Sequence, residues 1–177
     1  MRMYAAFKRM EGWELNFCER CNRACRQRLI RSLFVTVSRL GDGVFWYLLI
    51  LALPLCYGAA ALRASLHMTA VGLVALTLYR YLKSHLARQR PYLQHGGITL
   101  ATAPLDLYSF PSGHTLHAVS FTLVALSYYP ELAPLLVPFA ALVAMSRVIL
   151  GLHYPSDVMA GALLGALLAR ASWLLLG

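Results

Sequence analysis

The run VFWYLLILALPLCYGAAAL, Val44 to Leu62, decides the fold class. It carries no charge, and a helix needs about 20 such residues to cross roughly 30 Å of hydrocarbon. Pro54 lies inside it and predicts a kink that neighbouring helices accommodate. Four more apolar blocks follow: Met68 to Leu82, Thr115 to Tyr129, Leu132 to Leu150 and Val158 to Leu176. Some are short, but a helix packed on protein can extend into polar flanks. The composition agrees, with 59% hydrophobic and 13% charged residues, where a soluble domain carries about 25% charge. The expectation is an all-α integral membrane bundle of about five transmembrane helices.

Upstream of the first span the chain differs in kind. Lys8, Arg9, Arg20, Arg23, Arg26, Arg28, Arg31 and Arg39 make residues 1–41 a basic segment ahead of a transmembrane domain at 42–177. Leu29, Ile30, Leu33, Phe34 and Val37 recur at helical spacing beside the arginines, as in an amphipathic helix on an anionic surface. A helix packed against the bundle reads equally well. No apolar core followed by a cleavage site marks a signal peptide. The net charge of +9 therefore points to a membrane surface before nucleic acid. Cys18, Cys21 and Cys25 lack the fourth ligand and nearby histidine of a structural zinc site, so reduced thiols are expected, with Cys56 buried in its span.

Polar residues at helix ends carry the functional signal, because ionisable groups in or beside a bilayer are costly. The first group is KSHLARQRP, Lys83 to Pro91, where Lys83 and Arg90 share a face if the helix continues and Pro91 ends it. The second is PSGH, Pro111 to His114, ahead of the third span. The third is SRVILGLHYPSD, Ser146 to Asp157, where Pro155 suits a first helical turn that contains Asp157 and leaves His153 just outside. Counting crossings puts all three on one face. Taken singly, each has a bland reading as a snorkelling arginine or a satisfied histidine. Together, three cations and a glycine-flanked turn suit a phosphate-like oxyanion. One histidine can then attack phosphorus while the other protonates the departing oxygen, and Asp157 can orient the attacking ring. No acidic cluster for magnesium appears, so no metal and no cofactor are expected.

These three motifs, complete and in order, resemble the signature of the type 2 phosphatidic acid phosphatase family. Lys83, Arg90 and Pro91 match its first part, Pro111 to His114 its second, and Ser146, Arg147, His153 and Asp157 its third. SRLGDG, Ser38 to Gly43, also resembles the entry to the first span in small bacterial members. The resemblance implies a metal-free phosphatase with His153 as nucleophile, His114 as general acid and Asp157 orienting His153. It assigns Lys83, Arg90, Arg147, Ser112 and Gly113 to the phosphate. Soluble vanadium haloperoxidases share a similar constellation.

The implied partners are the bilayer and a lipid phosphate: a polyprenyl phosphate or diphosphate, phosphatidic acid, phosphatidylglycerophosphate or lipid A. The stretch between the first two motifs, with His95, Asp106 and Tyr108, is the expected selectivity element, and lipid enters sideways between spans. A lipid phosphotransferase or a non-catalytic lipid-phosphate carrier could use the same residues. An inner-membrane location with a cytosolic N-terminus follows from the basic segment. Two further crossings then return the site to the cytosol, whereas many relatives have six spans and an outward site. Gly161 and Gly165, extended by Ala162, Ala166 and Ala169, predict close packing within the chain, and a homodimer is not indicated.

Overall fold

The computed structural model describes the backbone of residues 2–176 and the side chains of residues 12–175, so Lys8 and Arg9 lie outside the described side chains. The described chain is helical: α1 (Arg2–Asn22), α2 (Arg28–Arg39), α3 (Phe45–Tyr57), α4 (Leu62–Leu86), α5 (Pro91–Gln94), α6 (Gly113–Tyr128), α7 (Ala133–Ile149) and α8 (Pro155–Leu176). Among the described residues, four helical runs are long and apolar enough to cross a membrane: Arg28–Tyr57, Ala59–Gln94, Pro130–Ile149 and Pro155–Leu175. At most 39% of any of their apolar windows is buried inside the protein. The outward leucines, such as Leu48, Leu51, Leu55, Leu66, Leu163 and Leu174, therefore need lipid to cover them.

The fifth expected span is α6, with only 16 residues, or about 24 Å of helix. Its Leu116, Ala118, Phe121, Val124 and Ala125 are all buried, because α4, α7 and α8 surround it. It is the centre of the bundle and meets protein where the others meet lipid. Gly161 and Gly165 bring α8 against it. A Cβ at Gly161 would stand 2.5 Å from the Ser112 carbonyl, and one at Gly165 would stand 2.5 Å from that of Leu116. Trp46, Leu53, Met68, Val71, Phe121, Leu136 and Val143 fill the apolar interior.

The first span begins earlier than its apolar block. The turn over Leu40–Val44, where Gly43 leaves helical geometry at φ 136°, kinks the chain between α2 and α3, so the membrane-length run from Arg28 to Tyr57 is two helices joined at a bend. Phe34, Val37 and Ser38 of α2 are buried while Leu29 and Leu33 face outward. Helix α1 lies across the site end of α7 and α8. Asn22 Nδ2 donates to the Thr99 and Ile149 carbonyls, and its Oδ1 accepts from Thr99 N–H at 2.8 Å.

The four cysteines are free. The Cys18 thiol donates toward the His153 carbonyl and the Cys25 thiol toward that of Ile149. Burial, reinforced by the charge of Glu14, pushes Cys18 up to about 12. Cys56, expected to be buried, is exposed, because it lies on the outer face of α3 close to its end.

Candidate active site

Helix polarity brings the three motifs together. Helices α4 and α7 run toward one end of the bundle, α6 and α8 start from it, and the kinked turn Leu40–Val44 passes beside them. A cavity of about 390 Å³ there is lined by Lys83, Arg90, Gly113, His114, Arg147 and His153, with Asp42 and Asp106. It continues between α3 and α4 past Trp46, Ile50, Leu51, Gly72, Leu73 and Leu76. Leu51 and Leu73 are largely exposed on the outer surface, so this apolar arm opens toward lipid.

Lys83 and Arg90 reach the cavity by a route the spacing did not anticipate. Helix α4 stops at Leu86, Ala87 turns with φ 39°, and Arg90 is extended ahead of Pro91. They do not sit on one continuous helix face; the chain folds back so that Arg90 meets Lys83. Both cations hold Asp106 from the loop between α5 and α6. Lys83 Nζ lies 2.7 Å from each carboxylate oxygen, and Arg90 Nη2 lies 2.7 Å from Oδ1. Burial works to raise the Asp106 carboxyl, but these bonds and charges outweigh it and hold the group below the ordinary carboxylate range. Arg147 is buried at the end of α7 and bonds through Nη1 to Ser38 Oγ. Its Nε has no hydrogen-bond partner, which leaves an unspent donor in the cluster.

The two catalytic candidates carry opposite proton states at Nε2. A guanidinium can only donate, so Arg90 Nη1, 3.3 Å from His153 Nε2, makes that nitrogen an acceptor with a lone pair. The His153 proton is therefore on Nδ1. That atom lies 3.6 Å from Asp157 Oδ2, longer than a hydrogen bond, and makes none. Burial, then the charges of Arg147, Arg90 and Lys83, lower His153 well below the ordinary imidazole value. At His114 the partner is the carboxylate of Asp42, which only accepts, so His114 Nε2 carries a proton.

Ser112, expected at the phosphate, has spent its groups elsewhere. Its hydroxyl bonds that of Thr115 at 2.9 Å and accepts from the Thr115 N–H at 3.4 Å, capping α6, and its N–H donates to the Asp157 carbonyl at 3.0 Å. Of that turn, Gly113 and His114 reach the cavity. Asp157 lies behind His153. Its Oδ2 accepts from Tyr154 N–H and its Oδ1 from Arg88 Nη1, both at 2.8 Å.

The motifs leave out Asp42 at His114, Arg88 and Glu14 behind Asp157, and His117 on the cavity wall. Asp42 lay inside the quoted SRLGDG run, and a carboxylate at the entry to an apolar span was the available signal. Asp106 was singled out for selectivity, not for occupying the cation site. His95 stands apart from the cavity, its Nδ1 accepting from Gly97 N–H. Among the described residues, no group of three or more His, Cys, Asp or Glu side chains is placed to hold a metal ion.

Comparison with known proteins places the chain in a family. The model of the PAP2 superfamily matches residues 60–177. The putative undecaprenyl-diphosphatase YbjG of Escherichia coli (strain K12) is 28% identical over 171 residues, covering 85% of this chain and 86% of the relative. The lipid A 1-phosphatase of Rhizobium johnstonii is 34% identical over 93 residues, half of this chain. This chain spans only 38% of that relative's length. The crystal structure of a transmembrane PAP2 type phosphatidylglycerolphosphate phosphatase from Bacillus subtilis superposes with a TM-score of 0.72 at 24% identity. It covers 94% of this chain and 85% of the other, a likeness of fold. An all-α membrane bundle whose match to the family model takes in all three motifs, this chain belongs to the PAP2 superfamily.

Proposed function

We propose that the protein is a membrane lipid phosphatase that hydrolyses a lipid phosphomonoester or diphosphate through a phosphohistidine on His153, without a metal. The observation that carries this reading is the opposite state of the two Nε2 atoms in one cation-lined cavity: a lone pair on His153 and a proton on His114. A phosphoryl group entering between Lys83, Arg90 and Arg147 takes the place of the Asp106 carboxylate, and the N-terminus of α6 at Gly113 adds backbone N–H groups. Ser112 acts by shaping that turn.

The His153 Nε2 lone pair forms the N–P bond as the P–O bond to the lipid breaks, and the departing oxygen takes the His114 proton. Asp157 stabilises the positive charge that develops on the His153 ring. Water then attacks phosphorus and gives a proton to His114. The N–P bond breaks, its electron pair returns to Nε2, and inorganic phosphate leaves. The charge stabilisation that a metal supplies elsewhere comes from the three cations.

The apolar arm between α3 and α4 suits a lipid tail entering sideways. The names of relatives support the class, with one putative undecaprenyl-diphosphatase and one lipid A 1-phosphatase. Polyprenyl phosphates or diphosphates, phosphatidic acid and phosphatidylglycerophosphate all fit this chemistry. Helix α1 and the site share one end of the bundle, so a cytosolic N-terminus in the inner membrane puts the site on the cytosolic face.

The test is phosphate release from a panel of purified lipid phosphates by wild type and His153→Ala. Stoichiometric phosphate with wild type and none with the variant is expected. Release undiminished in His153→Ala, or transfer to a second lipid without free phosphate, overturns the reading.

A further inference from the structure

Glu14 on α1 is buried, with only 2% of its surface exposed, and the chemistry above does not use it. A carboxylate so buried needs partners that hold its charge. It has two. Oε2 accepts from Arg88 Nη2 at 2.7 Å, and Oε1 accepts from the backbone N–H of Ser156, in the first turn of α8, at 2.8 Å. The same guanidinium turns its other edge to Asp157 Oδ1 at 2.8 Å and to Ser156 Oγ at 2.7 Å, and stacks on the Tyr154 ring at 3.9 Å. Glu14, Arg88 and Asp157 thus form a buried carboxylate–guanidinium–carboxylate row ending at the residue behind His153.

The row has a directional consequence. Alone beside Asp157, a buried guanidinium would neutralise it and blunt its attraction for the positive charge that forms on His153. Glu14 draws on the other edge of the same cation and leaves Asp157 with net negative character. It also fixes the first turn of α8, from which Asp157 projects. Three further contacts tie α1 and the turn after it to the chain around His153: Cys18 and Asn22 of α1 reach the His153 and Ile149 carbonyls, and Cys25 of the turn reaches the Ile149 carbonyl. Helix α1 lies outside residues 60–177, the part that the family model matches, so no family motif announces this role.

We infer that Glu14 is a positioning residue for the His153–Asp157 couple, acting through Arg88, and that α1 thereby completes the catalytic apparatus of this chain. The inference rests on the phosphohistidine reading above. Glu14 touches no residue of the phosphate cradle, so its effect belongs to turnover and not to substrate capture. Glu14→Gln keeps the side chain's size and its acceptor toward Ser156 while removing the charge opposite Arg88.

The experiment measures kcat, KM and thermal unfolding for wild type, Glu14→Gln and His153→Ala in detergent micelles with a lipid phosphate. The expected result for Glu14→Gln is a fall in kcat of about tenfold, the scale of losing one supporting hydrogen bond behind a reacting group. KM should stay within about twofold. Single-turnover phosphorylation of His153 should slow by the same factor as kcat. A Glu14→Gln enzyme with unchanged kcat per folded molecule and a lowered unfolding temperature overturns the inference, because Glu14 is then only structural. A loss carried by KM overturns it as well. A wild type that releases no phosphate, or an active His153→Ala, removes the phosphohistidine reading and this inference with it. An active wild type matched by Glu14→Gln removes this inference alone.

Discussion

In the proposed reaction the substrate phosphate displaces Asp106 from Lys83 and Arg90, and Asp106→Asn measures how firmly that carboxylate is held. The carboxylate receives two hydrogen bonds from Lys83 and one from Arg90, each 2.7 Å long. A hydrogen bond to a charged group contributes about 1.5–3 kcal/mol when shielded. The Asp106 side chain is 35% exposed, so solvent screening reduces the whole set to about 1.5–2 kcal/mol. At about 1.4 kcal/mol per factor of ten, the open form is then a few per cent of the population, and apparent substrate affinity is weakened by that fraction. Asp106→Asn removes the charge and keeps the shape. Its KM for a lipid phosphate should fall about tenfold, as should the inhibition constant of inorganic phosphate, with kcat changed by less than about twofold. The assay is initial-rate phosphate release across substrate and phosphate concentrations. The sign of the pH effect is set by the depressed carboxyl of Asp106. The closed form holds through neutral pH and is lost only as the pH falls below the ordinary carboxylate range, so the two proteins should converge in acid. A raised KM, or a kcat loss with KM unchanged, would refute the reasoning by making Asp106 part of the catalytic machinery.

Asp42→Asn should cut hydrolysis of a lipid phosphate by about 100-fold yet cut p-nitrophenyl phosphate less than about threefold, because that leaving group needs no proton from His114; equal losses on both would leave Asp42 without a role in acid catalysis. The lowered pKa of His153 keeps the nucleophile neutral through neutral pH, so the acid limb of kcat/KM should lie below about 6.5, the ordinary imidazole value. A limb above that value would contradict the burial and cation field around the ring. Gly165→Ala forces a Cβ to within 2.5 Å of the Leu116 carbonyl, and differential scanning in detergent should show unfolding lowered by roughly 5 °C. Gly12→Ala, which meets nothing within 4 Å, should not lower it. In a cysteine-free background, Ala60→Cys on the turn between α3 and α4, at the end away from the site, should react with an impermeant maleimide added outside intact cells. Labelling only after lysis would put the site on the outer face.

The readable part of this protein lies in short-range pattern. Apolar runs of membrane length and the parity of crossings were enough to predict helices and to bring Lys83, Arg90, His114, Arg147, His153 and Asp157 to one end. The glycine spacing at 161 and 165 announced a close helix contact, and the structure supplied α6 as its partner. The sequence had one more signal: the chain has only seven acidic residues, and Glu14 and Asp42, to which no role was given, meet at this end beside Asp106 and Asp157. In so apolar a chain, each acid placed near a helix end was a candidate.

What the sequence by itself determined was the membrane bundle and the motif set, because transfer of apolar helices into lipid depends on composition and period within each segment. What only the tertiary structure decided was which charges meet: Asp42 with His114 across 72 positions, Glu14 with Arg88 across 74, and Asp106 with Arg90 across a loop. Those pairings depend on how helix faces rotate against one another and where the chain folds back after Leu86. Such choices are fixed by packing among distant segments, and no local spacing records them.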